Sequence, residues 1–250
     1  MNSPSSIKVR FYSDSLGMPR KNEVLGEERY VMRLLNWLKL RYGSRKIELL
    51  ERARPNYTID QLYQWYKEDT GYYGERGHVL ILHEGVCDCA PRPLPPRLRG
   101  LIGELPESTR SKIVKCIHKN RRRIQRFLRF HVTSPKVFQI NYKSFLSMAS
   151  ENNTRVYVIT IAPTNEKTEN HSPGFKSSIV AYNTIIRAVV EEQGKNNIHL
   201  IDAYELLKKG DYASDDCVLE DGHHLTAAAH HIIFNAICDI EAKYDLGPHD

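Results

Sequence analysis

A serine near one end of the chain and an aspartate and histidine near the other have the types and spacing for nucleophilic catalysis. Ser15, in RFYSDSLGMPR, follows a short β-rich run and precedes a glycine by two residues. Asp221 and His224, in EDGHHLTAAAHH, are three residues apart. At this spacing a carboxylate can hold the imidazole Nδ1–H and leave Nε2 facing a site. A serine hydroxyl needs such a base, because it is a poor nucleophile at neutral pH. The spacing alone is common, and Ser15 could also be an ordinary loop hydroxyl.

The elements that would position these residues follow an alternating pattern. Helical patterns separate five apolar, β-rich segments: residues 7–12, 47–50, 78–85, 155–163 and a segment from 196 or 197 to 204. Between the first two, apolar residues at helical spacing from Val31 to Leu38 predict an amphipathic helix that ends near Gly43. Such alternation predicts parallel strands joined by crossover helices on both faces of a sheet. We expect one α/β domain over residues 1–250.

Ligand sites in parallel α/β sheets lie beyond the carboxyl ends of the strands. Three segments fall there: SDSL after the first strand, GVCD at residues 85–88 after the third, and DGHHLT between the fifth strand and a final helix. In order and rough spacing these motifs resemble those of the SGNH, or GDSL-like, hydrolases, from Ser13 to about Ile233. The resemblance implies a three-layer α/β/α sandwich with a five-stranded parallel sheet. It also implies ester hydrolysis, in many members on acylated carbohydrates and without a metal or organic cofactor.

The resemblance implies roles for individual residues. Ser15 matches the nucleophile, His224 the general base and Asp221 the residue that orients the base. The oxyanion hole would use the N–H groups of Ser15 and Asn56, where Asn56 replaces a family glycine; asparagine keeps the N–H and tolerates a left-handed backbone. Cys87 stands where the family has an asparagine side chain, and a thiol is a weak donor.

A replacement donor is therefore expected near Cys87. The nearby His83 and Arg92, or a group from a basic insert, are candidates, since a guanidinium can stabilise an oxyanion by charge as well as by hydrogen bonding. We expect Asp14, His83 and Arg92 to bind substrate. Asp88 is expected to cap a turn or brace the site. An alternative is that Cys87 is itself the nucleophile, which the position of Ser15 disfavours.

The basic insert is predicted over residues 90–150, between the third and fourth strands. Twelve Lys or Arg stand against two Glu from Arg92 to Arg129, a local charge of +10 in a chain whose net charge is +6. A proline-rich start leads into a helix whose apolar stripe is formed by Ile113, Ile117, Ile124, Phe127 and Leu128. The basic face is either merely solvated, or it presents positive charge to an anionic substrate or a membrane surface.

The remaining histidines, the cysteines and the hydropathy of the sequence limit the possible functions. His223, His224, His230 and His231 could form a metal cluster, although we expect His223 to be a neighbour in the turn and the last two to pack. The five cysteines have no paired CxxC spacing and are expected to be reduced thiols. No run of about 18 apolar residues and no signal-peptide core is present, so we expect a cytoplasmic protein that could touch a membrane only peripherally, through the insert. No nucleic-acid partner is expected.

The sequence therefore predicts a serine esterase that hydrolyses an O-acyl ester. A carbohydrate or glycan precursor is the expected substrate, and the basic insert favours one that is anionic. Two alternatives stay open. The first is an O-acyltransferase, because the same acyl-enzyme serves both reactions and only exclusion of water decides between them. The second is a catalytically impaired binding module that uses the insert to bind an anionic glycan or surface.

Overall fold

A five-stranded parallel sheet forms the centre of the computed structural model, and across the sheet its strands are the second, first, third, fourth and fifth in chain order. The structure describes residues 6–43, 45–74, 77–128, 130–151, 154–214 and 216–244. The strands are β1 (Ser6–Ser13), β2 (Lys46–Ala53), β3 (Val79–His83), β4 (Arg155–Ile159) and β5 (Ile198–Ile201). The predicted parallel α/β sheet is confirmed, and each of the five strands lies within or overlaps its predicted segment.

Alternate residues of the central strands enter two different cores, one on each face of the sheet. In β3, Val79 and Ile81 pack into one apolar cluster, whereas Leu80 and Leu82 pack into the other. Every residue of β3 is buried, which explains why the strand is continuously apolar in sequence. The two cores make the molecule a three-layer sandwich, as predicted.

Helices cover both faces. On one face lie α1 (Tyr30–Tyr42) and α10 (Ala227–Glu241), and on the other α2 (Ile59–Gly71), α6 (Pro135–Ala149) and α8 (Phe175–Gln193). Gly43 ends α1 with a positive φ of 42°, which confirms the predicted end of that helix. The shorter elements are α3 (Val86–Cys89), α7 (Glu166–His171), α9 (Ala203–Leu207) and a hairpin of β6 (Lys208–Lys209) and β7 (Tyr212–Ala213).

Residues 90–150 contain two helices that are not among those covering the sheet, α4 (Pro96–Gly103) and α5 (Glu107–Phe127). Of the 21 residues of α5, only Gln125 is buried. Phe127 and Leu128, predicted to lie on the packed stripe, are 83% and 51% exposed. Arg129, the last residue of the basic run, lies outside the described residues.

Helix α6, included in the predicted insert, belongs to the core instead. Phe138, Tyr142, Phe145 and Leu146 are fully buried between α2 and α8, because their spacing places them on one helical face. The extra segment is therefore shorter than the predicted 90–150. Among the described residues, no helix is both long enough and apolar enough to cross a lipid bilayer.

Candidate active site

The register of the sheet sets the carboxyl ends of three strands side by side. Ser13 of β1 pairs with Ala53 of β2 and with His83 of β3. The chain leaves each strand there, and Ser15, Asn56 and Cys87 follow within two to four residues. All three line one cavity of about 610 Å³. The sheet thus brings together residues that are far apart in sequence.

Ser15 begins a single 3₁₀ turn, Ser15–Gly17, immediately after β1. The Asp14 carboxylate caps this turn by accepting a hydrogen bond from Leu16 N–H at 2.8 Å. Gly17 is required, because a Cβ there would lie 2.3 Å from Phe11 Cζ and 2.6 Å from Ser13 Oγ. The tight turn leaves Ser15 only 8% exposed, facing the cavity.

His224 lies between Ser15 and Asp221. Its Nε2 is 2.9 Å from Ser15 Oγ, and its Nδ1 is 2.5 Å from Asp221 Oδ2. Asp221 Oδ1 also accepts hydrogen bonds from the backbone N–H groups of His223 and His224, at 3.2 and 3.1 Å. These contacts fix both the Asp221 carboxylate and the His224 imidazole. The Ser15 hydroxyl therefore faces one ring nitrogen of His224, and Asp221 holds the other.

The loop that carries Asp221 and His224 is anchored before α10. Gly222 has a φ of 78°, and a Cβ at this position would lie 1.9 Å from Thr168 Oγ1. Thr168 Oγ1 in turn donates a hydrogen bond to the Asp221 carbonyl at 2.9 Å. Thr226 then caps α10 through a hydrogen bond that its side chain accepts from Ala229 N–H. Glycine at 222 lets α7 approach the loop closely, which holds the carboxylate in place.

The environment keeps Asp221 ionised. Partial burial raises the pKa of the Asp221 carboxyl, but the hydrogen bonds from His224 and the neighbouring His223 outweigh burial and bring the pKa well below its usual range. Burial, followed by the charge of His224, lowers the pKa of His223. Asp221 is therefore an anion at neutral pH that can stabilise a protonated His224.

The predicted oxyanion residues lie at the cavity wall. Asn56 has a φ of 62°, in the left-handed region that asparagine tolerates better than most residues. Its backbone N–H is directed at the Cys87 sulfur. Burial, and then the nearby carboxyls of Asp14 and Asp88, raise the pKa of Cys87. Cys87 is therefore a neutral thiol, which makes it a poor nucleophile as well as a weak donor.

Two predicted substrate contacts, those of Asp14 and His83, are wrong. Both side chains are fully buried and neither lines the cavity. His83 points into the layer beneath the sheet, where its Nδ1 lies 3.0 Å from the Tyr30 hydroxyl, and burial lowers its pKa to about 3. His83 therefore cannot supply the missing oxyanion donor either. Arg92, by contrast, lines the cavity, and its contact with substrate stays a prediction.

Asp88 and the remaining histidines have structural surroundings. Asp88 Oδ2 accepts a hydrogen bond from Ile59 N–H at 3.1 Å and so holds the start of α2. The four-histidine cluster does not form: His230 is buried against Tyr30, and His231 is exposed. Asp221, His223 and His224 offer potential metal-ligand atoms within 4.8 Å of one another, but both ring nitrogens of His224 already have partners in Asp221 and Ser15.

The helix α5 reaches the site, which the sequence analysis left open. Arg121 and Arg122 line the cavity over Ser15. The buried Gln125 links α5 to the body of the protein by donating a hydrogen bond to the Pro91 carbonyl at 2.7 Å. Arg121 and Gln125 were not predicted as site residues, although the sequence contains a signal for them. They continue the stripe of Ile113 and Ile117 at intervals of four residues, and polar residues on a packed stripe need hydrogen-bond partners.

Comparisons with known proteins identify the family and the fold. The model of the GDSL-like lipase/acylhydrolase family matches residues 17–232. No match is found among curated proteins. Among solved structures, a lipase/acylhydrolase from Enterococcus faecalis is 12% identical, with a TM-score of 0.63 over 97% of this chain and 99% of that one. Axe2, an acetylxylan esterase from Geobacillus stearothermophilus, is 16% identical, with a TM-score of 0.60 over 100% of both chains.

A third structure shares the fold at a similarly low sequence identity. LAE5, an α/β hydrolase from the metagenome of Lake Arreo in Spain, is 17% identical, with a TM-score of 0.60 over 94% of this chain and 95% of that one. At such identities the structural likeness supports the fold, while the family model covers most of the chain. The chain belongs to the GDSL-like lipase/acylhydrolase family and is an SGNH-type serine hydrolase.

Proposed function

We propose that the protein hydrolyses O-acyl esters with Ser15 as nucleophile, His224 as general base and Asp221 as the residue that orients the base. One observation carries the proposal: Ser15 Oγ lies 2.9 Å from His224 Nε2, at the floor of a cavity large enough for a small substrate. A serine and histidine at hydrogen-bond distance, with the histidine held by a carboxylate, is the arrangement that acyl transfer to a serine requires.

In this mechanism His224 takes the proton of Ser15 as the hydroxyl oxygen attacks the ester carbonyl carbon. The negative charge that develops on the carbonyl oxygen faces the N–H groups of Ser15 and Asn56, and it shares the second of these donors with the Cys87 sulfur. His224 then gives its proton to the leaving alcohol, which leaves an acyl group on Ser15. Water activated by His224 releases the acid and restores the serine. Asp221 stays ionised throughout and stabilises the imidazolium.

We propose an acylated sugar or glycan precursor as the substrate. The proposal follows the resemblance of the sequence motifs to a family with many carbohydrate esterases, and an acetylxylan esterase from Geobacillus stearothermophilus shares the fold. The cavity wall contains hydroxyl, guanidinium, amide and imidazole groups, which suits a polyhydroxylated substrate. A cytoplasmic location accompanies this proposal, supported by five cysteines that are all unpaired.

The weak donor at Cys87 favours one rival, a binding module with little catalysis. Loss of one oxyanion-hole donor typically lowers kcat by roughly 10² to 10³. A slow esterase and a binding module differ in one respect. In the esterase, Ser15 remains activated by His224 and reacts with electrophiles, whereas in the rival it has the low reactivity of other serines.

Hydrolysis of p-nitrophenyl acetate and butyrate tests the proposal. Activity should fall to background in Ser15→Ala and His224→Ala, because each change removes a group that reacts directly. Ser108→Ala and His118→Ala are matched controls, since both residues are exposed on α5 and away from the cavity, and both should retain the full rate. A fluorophosphonate should label Ser15 alone. Equal rates in all five proteins, without labelling, would favour the binding module.

A further inference from the structure

The cavity over Ser15 is lined by an excess of positive charge. Its cationic side chains come from four separate segments of the chain, and its acidic side chains are Glu220 and Asp221, the second of which is already bound to His224. The cationic residues are Arg20, Arg92, Arg121, Arg122 and Lys167. Low-dielectric walls strengthen the field of such a group of charges inside a cleft.

Arg121 is held in a fixed position at this wall. Its Nε donates to Gln125 Oε1 at 3.2 Å, and one of its Nη2 protons is directed at Ser172 Oγ at 2.9 Å. Gln125, which is fully buried, is itself fixed by the Pro91 carbonyl. A guanidinium has five N–H donors in a rigid plane. The two hydrogen bonds orient the group and leave its other donors for a ligand.

Arg92 adds a second guanidinium to the same place. Burial lowers the pKa of Arg121, and the charge of Arg92 lowers it further, so the two guanidiniums, which line the same cavity, repel each other. The Nε of Arg92 is buried and has no hydrogen-bond partner among the described residues. Within that part of the chain, no carboxylate lies within 4.0 Å of Arg92 or Arg121.

Two half-buried guanidiniums that repel each other and have no acidic partner are unfavourable in a protein by itself. An oxyanion bound between them would remove the repulsion by accepting hydrogen bonds from donors that face the cavity. Arginine is the residue best suited to such a ligand, because its planar donors match the oxygens of a carboxylate, phosphate or sulfate group. A purely solvated basic surface, in contrast, would not need a buried glutamine to orient one of its arginines.

We propose that Arg92 and Arg121 form an anion subsite of the active-site cavity, which binds a carboxylate, phosphate or sulfate group carried by the ester substrate. The claim that an ester substrate carries this anionic group rests on the proposed function, whereas the claim that the subsite binds an anion does not. The cavity volume of about 610 Å³ accommodates a monosaccharide that carries both an acyl ester and an acidic group. Helix α5 is thus a specificity element that reaches the site through Arg121.

Binding of simple anions tests the subsite without any need for catalysis. Inorganic sulfate and phosphate, titrated at constant ionic strength against chloride, should raise the melting temperature of the wild-type protein and saturate. In Arg121→Gln the apparent Kd should weaken about 10- to 100-fold, the effect of losing a charged hydrogen-bond partner. Arg123→Gln makes the same charge change on an exposed face of the same helix and should bind as the wild type does. Equal weakening in both variants would overturn the proposal.

Substrate selectivity tests the link to the ester site. The ratio of kcat/KM for mono-O-acetyl glucuronic acid, or mono-O-acetyl glucose phosphate, to that for mono-O-acetyl glucose should exceed one in the wild type. The ratio should fall about 10- to 100-fold in Arg121→Gln, fall less in Arg121→Lys, which keeps the charge, and stay constant in Arg123→Gln. The two acids distinguish a carboxylate from a phosphate ligand. A ratio that does not change in Arg121→Gln would overturn the assignment.

The two experiments separate this inference from the proposed function. Saturable sulfate binding that depends on Arg121, in a protein that cleaves no ester, would reject the esterase and support the anion subsite. Ester cleavage that depends on Ser15, with neither sulfate binding nor preference for acidic esters, would do the reverse. The melting temperature of Arg121→Gln in chloride alone shows whether that variant fails merely by unfolding, and Arg121→Lys retains the cation beside Ser172.

Discussion

The Asp14 carboxylate accepts a hydrogen bond from the Val86 backbone N–H at 3.1 Å and so ties the end of β1 to the start of α3. Its other oxygen caps the turn of Ser15 through Leu16 N–H. The side chain is fully buried, and burial raises its pKa to about 7. Asp14 therefore acts on the position of Ser15, and the predicted contact with substrate is replaced by a structural link between two strand ends.

Asp14→Ala should reduce both stability and activity. The variant leaves the N–H groups of Leu16 and Val86 without acceptors inside the protein, which costs about 1–3 kcal/mol for each. The turn that carries Ser15 would loosen, and misplacement of a nucleophile by about 1 Å can lower a rate by roughly 10². Urea unfolding and kcat for p-nitrophenyl acetate measure the two effects.

Asp14→Asn is the matched comparison for that prediction. Its single amide oxygen can accept one of the two hydrogen bonds, so both losses should be smaller than in the alanine variant. If the midpoint of urea unfolding were the same in Asp14→Ala as in the wild type, the Asp14 carboxylate would not be the link between β1 and α3.

Asp221 gives a prediction about the base. Asp221→Asn keeps the size of the side chain but removes the charge that stabilises the protonated imidazole, and its amide can favour the wrong tautomer of His224. We expect kcat for p-nitrophenyl acetate to fall by roughly 10³ to 10⁴ with little change in KM. Glu220→Gln, at an exposed neighbouring position, is the control for charge near the cavity. A similar loss of kcat in both variants would mean that the loss comes from the overall negative charge near the cavity and not from the contact between Asp221 and His224.

The sheet and its order of elements were predictable because buried parallel strands are continuously apolar and the connecting helices are amphipathic. The meeting of Ser15, Asp221 and His224 was predictable for a related reason: strand ends of a parallel sheet lie at one edge, so motifs that follow them come together. Asn56 could be named only through the resemblance, as the residue that replaces a family glycine, and its φ of 62° is a backbone conformation that asparagine tolerates.

The errors arose where a side chain's direction decides its role. Asp14 and His83 stand at the correct strand ends, but alternation along a strand and the tight turn at Gly17 send both side chains into the interior. The link from Gln125 to Pro91 joins residues 34 positions apart, and no local pattern encodes such a contact. The extent of the insert was overestimated because α6 is also preceded by basic residues, although its apolar face packs in the core.

Glu84 gives a prediction about pH and stability. This carboxyl is fully buried, and its hydrogen-bonding neighbour is the Asp88 carboxyl. Burial, and then the neighbouring Asp14 and Asp88, raise its pKa well above the usual value. The folded protein thus keeps a proton that the unfolded chain releases above about pH 4.5, so that this group lowers the free energy of unfolding as pH rises.

Glu84→Gln removes that titration. The melting temperature of the variant relative to wild type should therefore increase between pH 5 and pH 8, with a difference in unfolding free energy that grows by at most about 1.4 kcal/mol per pH unit. Glu104→Gln, at an exposed position, should give a curve parallel to wild type. Parallel curves for Glu84→Gln as well would mean that Glu84 is ionised in the folded protein.

Cys87 gives a prediction about the oxyanion hole. Its thiol lines the cavity beside Asn56 N–H, where a side-chain amide would direct a strong donor at the developing charge. Cys87→Asn should therefore raise kcat for p-nitrophenyl acetate by about 10-fold or more, since a single such donor is worth roughly 10² to 10³ in kcat. Cys87→Ala removes the thiol without adding a donor and should give no increase. If Cys87→Asn gave no increase either, a different group would already stabilise the oxyanion. Arg92 is the foremost candidate in the cavity wall. Arg92→Gln would then lower kcat and not only the preference for acidic substrates.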